Sequence, residues 1–261
     1  MKNKINILEL NYNYFQKVLS FIIFPTSFLL IIPYTKAKEN YFGSLNNLTS
    51  DSIINNNPLD SGIKSYLALG DSYTIGQSVE EENRFPVQLV QMLRSQNINI
   101  SDPEIIAVTG WTTDDLLNSL RENPPRQTYS IVTLLIGVNN QYQGRSLEEY
   151  KTQFTELLNL AISYADNNKD HVFILSIPDY SVTPFASKSN IKKIAKEIDE
   201  FNETNKIISL NEGTHYLDIT PISRNAKNDP SLIAADGLHP STKQYFQWDQ
   251  LLEPLIQNEI H

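Results

Sequence analysis

From residue 64 onward, short apolar runs alternate with longer amphipathic ones. KSYLALG (64–70) is a compact apolar run closed by glycine, and RFPVQLVQMLRSQ (84–96) then sets Phe85, Leu89, Met92 and Leu93 at helical spacing. PEIIAVTG (103–110) reads as a second strand. TTDDLLNSLREN (112–123) reads as a helix, with Thr112 or Thr113 as its cap and acids in its first turn. YSIVTLLIG (129–137) is apolar almost without interruption, the signature of a strand covered on both faces. The segment 146–166 follows as a helix in which Ser146 and Glu149 have capping-box spacing. HVFILSI (171–177), the helical stretch 190–209, HYLDIT (215–220) and the amphipathic stretch 241–256 complete the alternation. Five strands separated by helices predict an α/β fold with a parallel sheet, because parallel neighbours need a covered, right-handed crossover.

The N-terminal part departs from this rhythm. Lys2, Lys4 and Lys17 precede an uncharged run, 18–34, that is apolar on every side, and Thr35 and Ala37 follow at the spacing of a cleavage site. As a helix the run spans roughly 25 Å, the lower limit for a bilayer, and it contains Pro25 and Pro33. Residues 1–37 are therefore expected to be an export signal or an N-terminal membrane anchor, with membrane contact through 18–34 and an exported location: periplasmic, secreted or tethered. Residues 38–63, rich in Asn, Ser and Asp, read as a polar linker, leaving 64–261 as the folded domain.

Composition narrows the classes of function. A net charge of −9 without a Lys/Arg cluster excludes the basic footprint of a nucleic-acid binder. The absence of cysteine removes disulfides, thiolate metal sites, cysteine nucleophiles and lipoprotein-type anchors.

A parallel sheet places chemistry in the loops at the carboxyl ends of its strands. Ser72 lies just past the first strand run, Gly110 ends the second, Gly137 and Asn139 follow the third, and Asp236 and His239 stand in AADGLHP before the last helix. Taken singly, GDS and GVNN are ordinary turn compositions. His171 and His215 open strands and His261 is terminal, so all three read as structural or exposed. His239 differs: an acid three residues before it in a loop can fix the imidazole tautomer and stabilise the imidazolium.

GDSY with Ser72, TGWTT with Gly110, GVNN with Asn139 and DGLHP with Asp236 and His239, in that order over 64–255, resemble the four blocks of the SGNH or GDSL hydrolases. The resemblance implies a three-layer α/β/α, flavodoxin-like fold with five parallel strands. It implies a serine esterase in which Ser72, Asp236 and His239 are the catalytic residues, and Ser72, Gly110 and Asn139 form the oxyanion hole. It requires no cofactor and no metal. Asp71 is read as orienting the turn. One departure stands out: the third block is often GxND, and Asn140 replaces the acid.

The expected partner is a small-molecule, lipid or glycan ester, with acyl groups of short to medium length. Trp111 and the loop 178–186 are placed to contact it. Oligomeric state is not set by the sequence. Two alternatives predict different behaviour. A metallophosphoesterase using Asp71, Asn139, Asp236 and His239 as ligands would be chelator-sensitive and indifferent to Ser72→Ala. An inactive surface binding protein on the same fold would hydrolyse no ester.

Overall fold

The computed structural model describes residues 62–260. The expected export segment and all but the last two residues of the linker lie outside them. In chain order the elements are β1 (Tyr66–Gly70), α1 (Ser72–Ile75), α2 (Phe85–Ser95), β2 (Glu104–Ala107), α3 (Thr113–Glu122), β3 (Ile131–Leu135) and α4 (Val138–Tyr142). They continue with α5 (Leu147–Tyr164), β4 (Val172–Leu175), α6 (Ile191–Glu212), β5 (His215–Leu217), α7 (Thr220–Arg224) and α8 (Thr242–Ile260).

All strand pairs are parallel and the order is β2-β1-β3-β4-β5. Burial follows that order. The interior strands β1, β3 and β4 are buried at every position, whereas β2 and β5, at the edges, are partly exposed. The continuous aliphatic run of β3 is thus explained by its central place between two helical layers. In one group α2 packs on α8, with Phe85, Tyr245 and Trp248 in ring contact. In the other, α3, α5 and α6 pack in succession. The result is a three-layer α/β/α domain.

Local chemistry sets the element ends. Thr112, not Thr113, caps α3: its hydroxyl accepts the Asp115 N–H, and the Asp115 carboxylate accepts the Thr112 N–H at 2.9 Å. At α5 only half of the expected box forms. Ser146 Oγ accepts the Glu149 N–H at 3.1 Å, but the Glu149 carboxylate is taken by Arg145 at 2.8 Å and Gln153 at 3.4 Å. The fifth strand is shorter than its apolar pattern suggests, because the Asp218 carboxylate accepts the Thr220 N–H at 3.2 Å and turns the chain into α7.

Among the described residues the core holds a charge-bearing group without a partner. Asp249 on α8 is fully buried, and neither carboxylate oxygen has a hydrogen-bond partner among the described residues. Burial pushes its carboxyl well above the usual range. Burial likewise raises Tyr66, against the opposing pull of its 2.9 Å hydroxyl contact with Thr133. Below the unfolded-state pKa of Asp249 both states hold the proton; above it only the native state does, so stability falls as pH rises. Asp249→Asn removes that proton linkage. Its unfolding free energy should gain on the wild type by about 1.4 kcal/mol per pH unit over the interval in which only the native state holds the proton. Urea titrations across that interval test this, and parallel curves would show a native carboxylate that is already ionised.

Candidate active site

The strand order reverses between β1 and β3, and the crevice at their carboxyl ends is where such a sheet accepts ligands. At Gly70 the two strands close to such an extent that a Cβ would meet the Leu135 carbonyl oxygen at 2.5 Å and the Thr74 side chain closer still. Only glycine fits there. The chain then turns at Asp71, whose carboxylate accepts the Tyr73 N–H at 3.0 Å and caps α1. Burial raises the Asp71 carboxyl to about 7, against the opposing pull of the Tyr73 and Gly137 amides. Asp71 is therefore a buried support for the turn, as the sequence suggests. Ser72, the first residue of α1, has a backbone N–H with no intrahelical acceptor.

Two further loops reach the same rim. Gly110 follows β2 with φ 89°, and nothing lies within 4 Å of where its Cβ would be. Gly137 follows β3 with φ 130°, where Tyr150 and Ile177 leave no room for a side chain. It opens α4 and so delivers Asn139. Asn139 Nδ2 donates to the Trp111 carbonyl at 2.9 Å, which fixes the amide and leaves its second N–H unused by that contact.

The departure at Asn140 has a structural answer. Asn140 is fully buried; its Oδ1 accepts the Thr113 N–H at 3.0 Å, and its Nδ2 donates to Thr113 Oγ1 at 2.7 Å. The Thr113 hydroxyl then donates to Gln153 Oε1 at 2.5 Å. The amide thus ties the Asn139 turn to the start of α3. An acid at 140 would reverse the donor sense of this chain.

The Asp236–His239 pair forms as its spacing suggests. His239 Nδ1 lies 2.6 Å from Asp236 Oδ2, while Oδ1 accepts the Leu238 and His239 amides at 2.9 and 3.0 Å. Ser78 Oγ donates to Oδ2 at 2.7 Å. Partial burial would raise the Asp236 carboxyl, but the bonds from Ser78, the His239 ring and the two amides outweigh it and hold the group well below the usual range. An ionised Asp236 can only accept, so Nδ1 carries the hydrogen, and in the neutral form of the ring it is Nε2 that holds the lone pair. Tyr73 meets the imidazole edge-on, with ring centroids 5.6 Å apart.

Ser72, Gly110, Asn139 and His239 line one cleft of about 160 Å³. No hydrogen bond joins Ser72 Oγ to His239 in this structure; catalytic pairs often tighten only once substrate is bound. Val138, Tyr142, Tyr180, Phe185 and Leu238 supply its apolar wall. The loop 178–186 therefore reaches the cleft as expected, through Tyr180 and Phe185. Trp111 does not: it packs against the core and contributes its carbonyl rather than its ring.

Tyr73, Tyr142 and Ser78 escaped the sequence reading. Tyr142 sits in a turn of ordinary composition, and the Ser78–Asp236 bond spans 158 residues, a separation that leaves no local pattern.

His171 and His215 do stand apart from the cleft. His215 stacks on Phe173 at 4.8 Å, and His171 Nε2 lies 3.3 Å from the Glu259 carbonyl; His261 is outside the described residues. Asp170, His215 and Glu259 are the one group among the described residues whose ligand atoms are close enough to share a metal ion, and they flank the amino ends of β4 and β5, the opposite rim.

Comparison with known proteins agrees with this geometry. Solved structures share the fold. TesA aligns at 16% identity over 75% of this chain and 99% of its own, with a TM-score of 0.58. The acetylxylan esterase Axe2 from Geobacillus stearothermophilus aligns at 18% identity over 76% and 94%, TM-score 0.55. The esterase EstA from Pseudoalteromonas sp. aligns at 17% identity over 76% and 96%, TM-score 0.52. No curated protein sequence is significantly similar. The model of the GDSL-like lipase/acylhydrolase family matches residues 68–245, from the middle of β1 into α8 and across every loop of the cleft. The chain belongs to that family and is a carboxylic ester hydrolase.

Proposed function

We propose that Ser72 is the nucleophile of an acyl-enzyme mechanism with His239 as general base and Asp236 as its orienting acid. The observation that carries this reading is the 2.6 Å Asp236–His239 contact on the rim of the cleft that also presents Ser72. Ser72 Oγ attacks the ester carbonyl while His239 Nε2 takes its proton. The negative charge that develops on the carbonyl oxygen is met by the backbone N–H groups of Ser72 and Gly110 and the second N–H of Asn139. As the tetrahedral intermediate collapses, the imidazolium gives its proton to the departing alkoxide. Water, deprotonated by the same nitrogen, then releases the acid and frees Ser72.

The acyl group lies along Val138, Tyr142, Tyr180, Phe185 and Leu238. Tyr142 is 61% exposed and Phe185 47%, and the two rings meet at 6.0 Å, an apolar surface held open to solvent beside the reacting serine. The size of the cleft favours short to medium acyl chains. The N-terminal run at 18–34 supports an exported enzyme acting on lipid or acylated-carbohydrate esters.

A fluorophosphonate probe should label the wild type and leave Ser72→Ala unlabelled; label retained by the variant would overturn the assignment. Across a series of p-nitrophenyl esters, kcat/KM should peak at or below octanoyl. Phe185→Ala should lower kcat/KM for the hexanoate by about tenfold while leaving the acetate nearly unchanged, since only the longer chain uses that wall.

A further inference from the structure

We propose that Ser78 is a positioning residue for Asp236, a fourth member of the Ser72–His239–Asp236 chain supplied by the nucleophile's own loop. This rests on the triad reading above. Helix α1 ends at Gly76 in the left-handed region, and two residues later Ser78 adopts φ 69°, a conformation uncommon for a residue with a side chain. Such outliers persist where the surroundings hold them in place. Here the turn is pinned by the Gln77 N–H to the Ser72 carbonyl at 3.0 Å and by the Val79 N–H to the Gly76 carbonyl at 3.2 Å.

Its two central side chains reach in different directions. Gln77 Oε1 accepts from Thr109 Oγ1 at 2.6 Å, next to Gly110. Ser78 Oγ donates to Asp236 Oδ2 at 2.7 Å, the same oxygen that faces the His239 ring. The carboxylate therefore has two amides on Oδ1, and the imidazole and a hydroxyl on Oδ2. The torsion that turns a carboxylate plane is broad and soft. The Ser78 hydroxyl is the contact that reaches this carboxylate from outside its own loop, so it fixes the plane of the acid relative to the helix carrying Ser72.

Ser78→Ala and Ser78→Gly separate the hydroxyl from the backbone. Glycine tolerates the left-handed conformation better than serine, so a purely conformational role predicts a wild-type Ser78→Gly enzyme. The positioning role predicts that both variants lose about tenfold in kcat on p-nitrophenyl acetate, with KM within about twofold and an unchanged melting temperature. It further predicts that Ser78→Gly costs nothing more in an Asp236→Ala background. Wild-type kcat in Ser78→Gly, or an undiminished loss without Asp236, overturns the proposal. Ser72→Ala, assayed alongside, tells the two failures apart: activity surviving there sinks the triad reading, whereas an inactive Ser72→Ala beside a fully active Ser78→Gly sinks only the role of Ser78.

Discussion

Alanine at Ser72 or at His239 is expected to lower kcat by about 10⁴- to 10⁶-fold, and the double substitution to lower it no further. In the proposed mechanism the two side chains perform one step between them. Without the imidazole the hydroxyl keeps its proton and is a poor nucleophile; without the hydroxyl the imidazole has no proton to remove. KM should change little, because in the proposed mechanism neither group holds the acyl chain; Tyr142, Tyr180, Phe185 and their neighbours supply the apolar wall of the cleft. Steady-state kinetics of the three variants decide the matter. Additive losses would mean that Ser72 and His239 act independently, and His239 would not be the base that activates Ser72.

The second large effect is expected at Asn139. Replacing it with alanine removes a donor already oriented by the Trp111 carbonyl at 2.9 Å, and kcat should fall by about 10²–10³-fold with KM nearly unchanged. The split arises because the oxygen carries its full charge only in the transition state. Asn139→Asp should be worse, since a carboxylate cannot donate to Trp111 and would place negative charge beside the forming oxyanion. A loss seen mainly in KM would move Asn139 from the oxyanion hole to ground-state binding. Thermal melts of both variants separate this from collapse of the α4 turn, which Asn140 supports independently through Thr113.

Much of this was legible in local pattern. The aliphatic runs that became β1, β3 and β4 and the periodic stretches that became α2, α3, α5, α6 and α8 are recorded in spacing alone, because burial on one or both sides of an element dictates which positions are apolar. Strand ends were less legible. HYLDIT reads as a strand to 220, but Asp218 captures the Thr220 N–H, a contest between side chain and ladder that hydrophobicity does not register. The same holds for the half-formed box at Ser146, where Arg145 and Gln153 compete for Glu149.

At the site, the sequence by itself determined which residues stand at strand ends and that Asp236 is close enough to orient His239, since a loop with only Gly237 and Leu238 between them keeps the two side chains within reach of each other. It also determined that the third block carries a neutral amide at 140. Only the tertiary structure decided what these residues touch. Strand order brought the ends of β1 and β3 together and so placed Asn139 on the rim with Ser72; packing turned the Trp111 ring away and Tyr142 and Phe185 in; and a left-handed serine met an aspartate 158 residues distant. A contact at that separation is fixed by the path of the whole chain, and no short window of sequence holds the information that makes it.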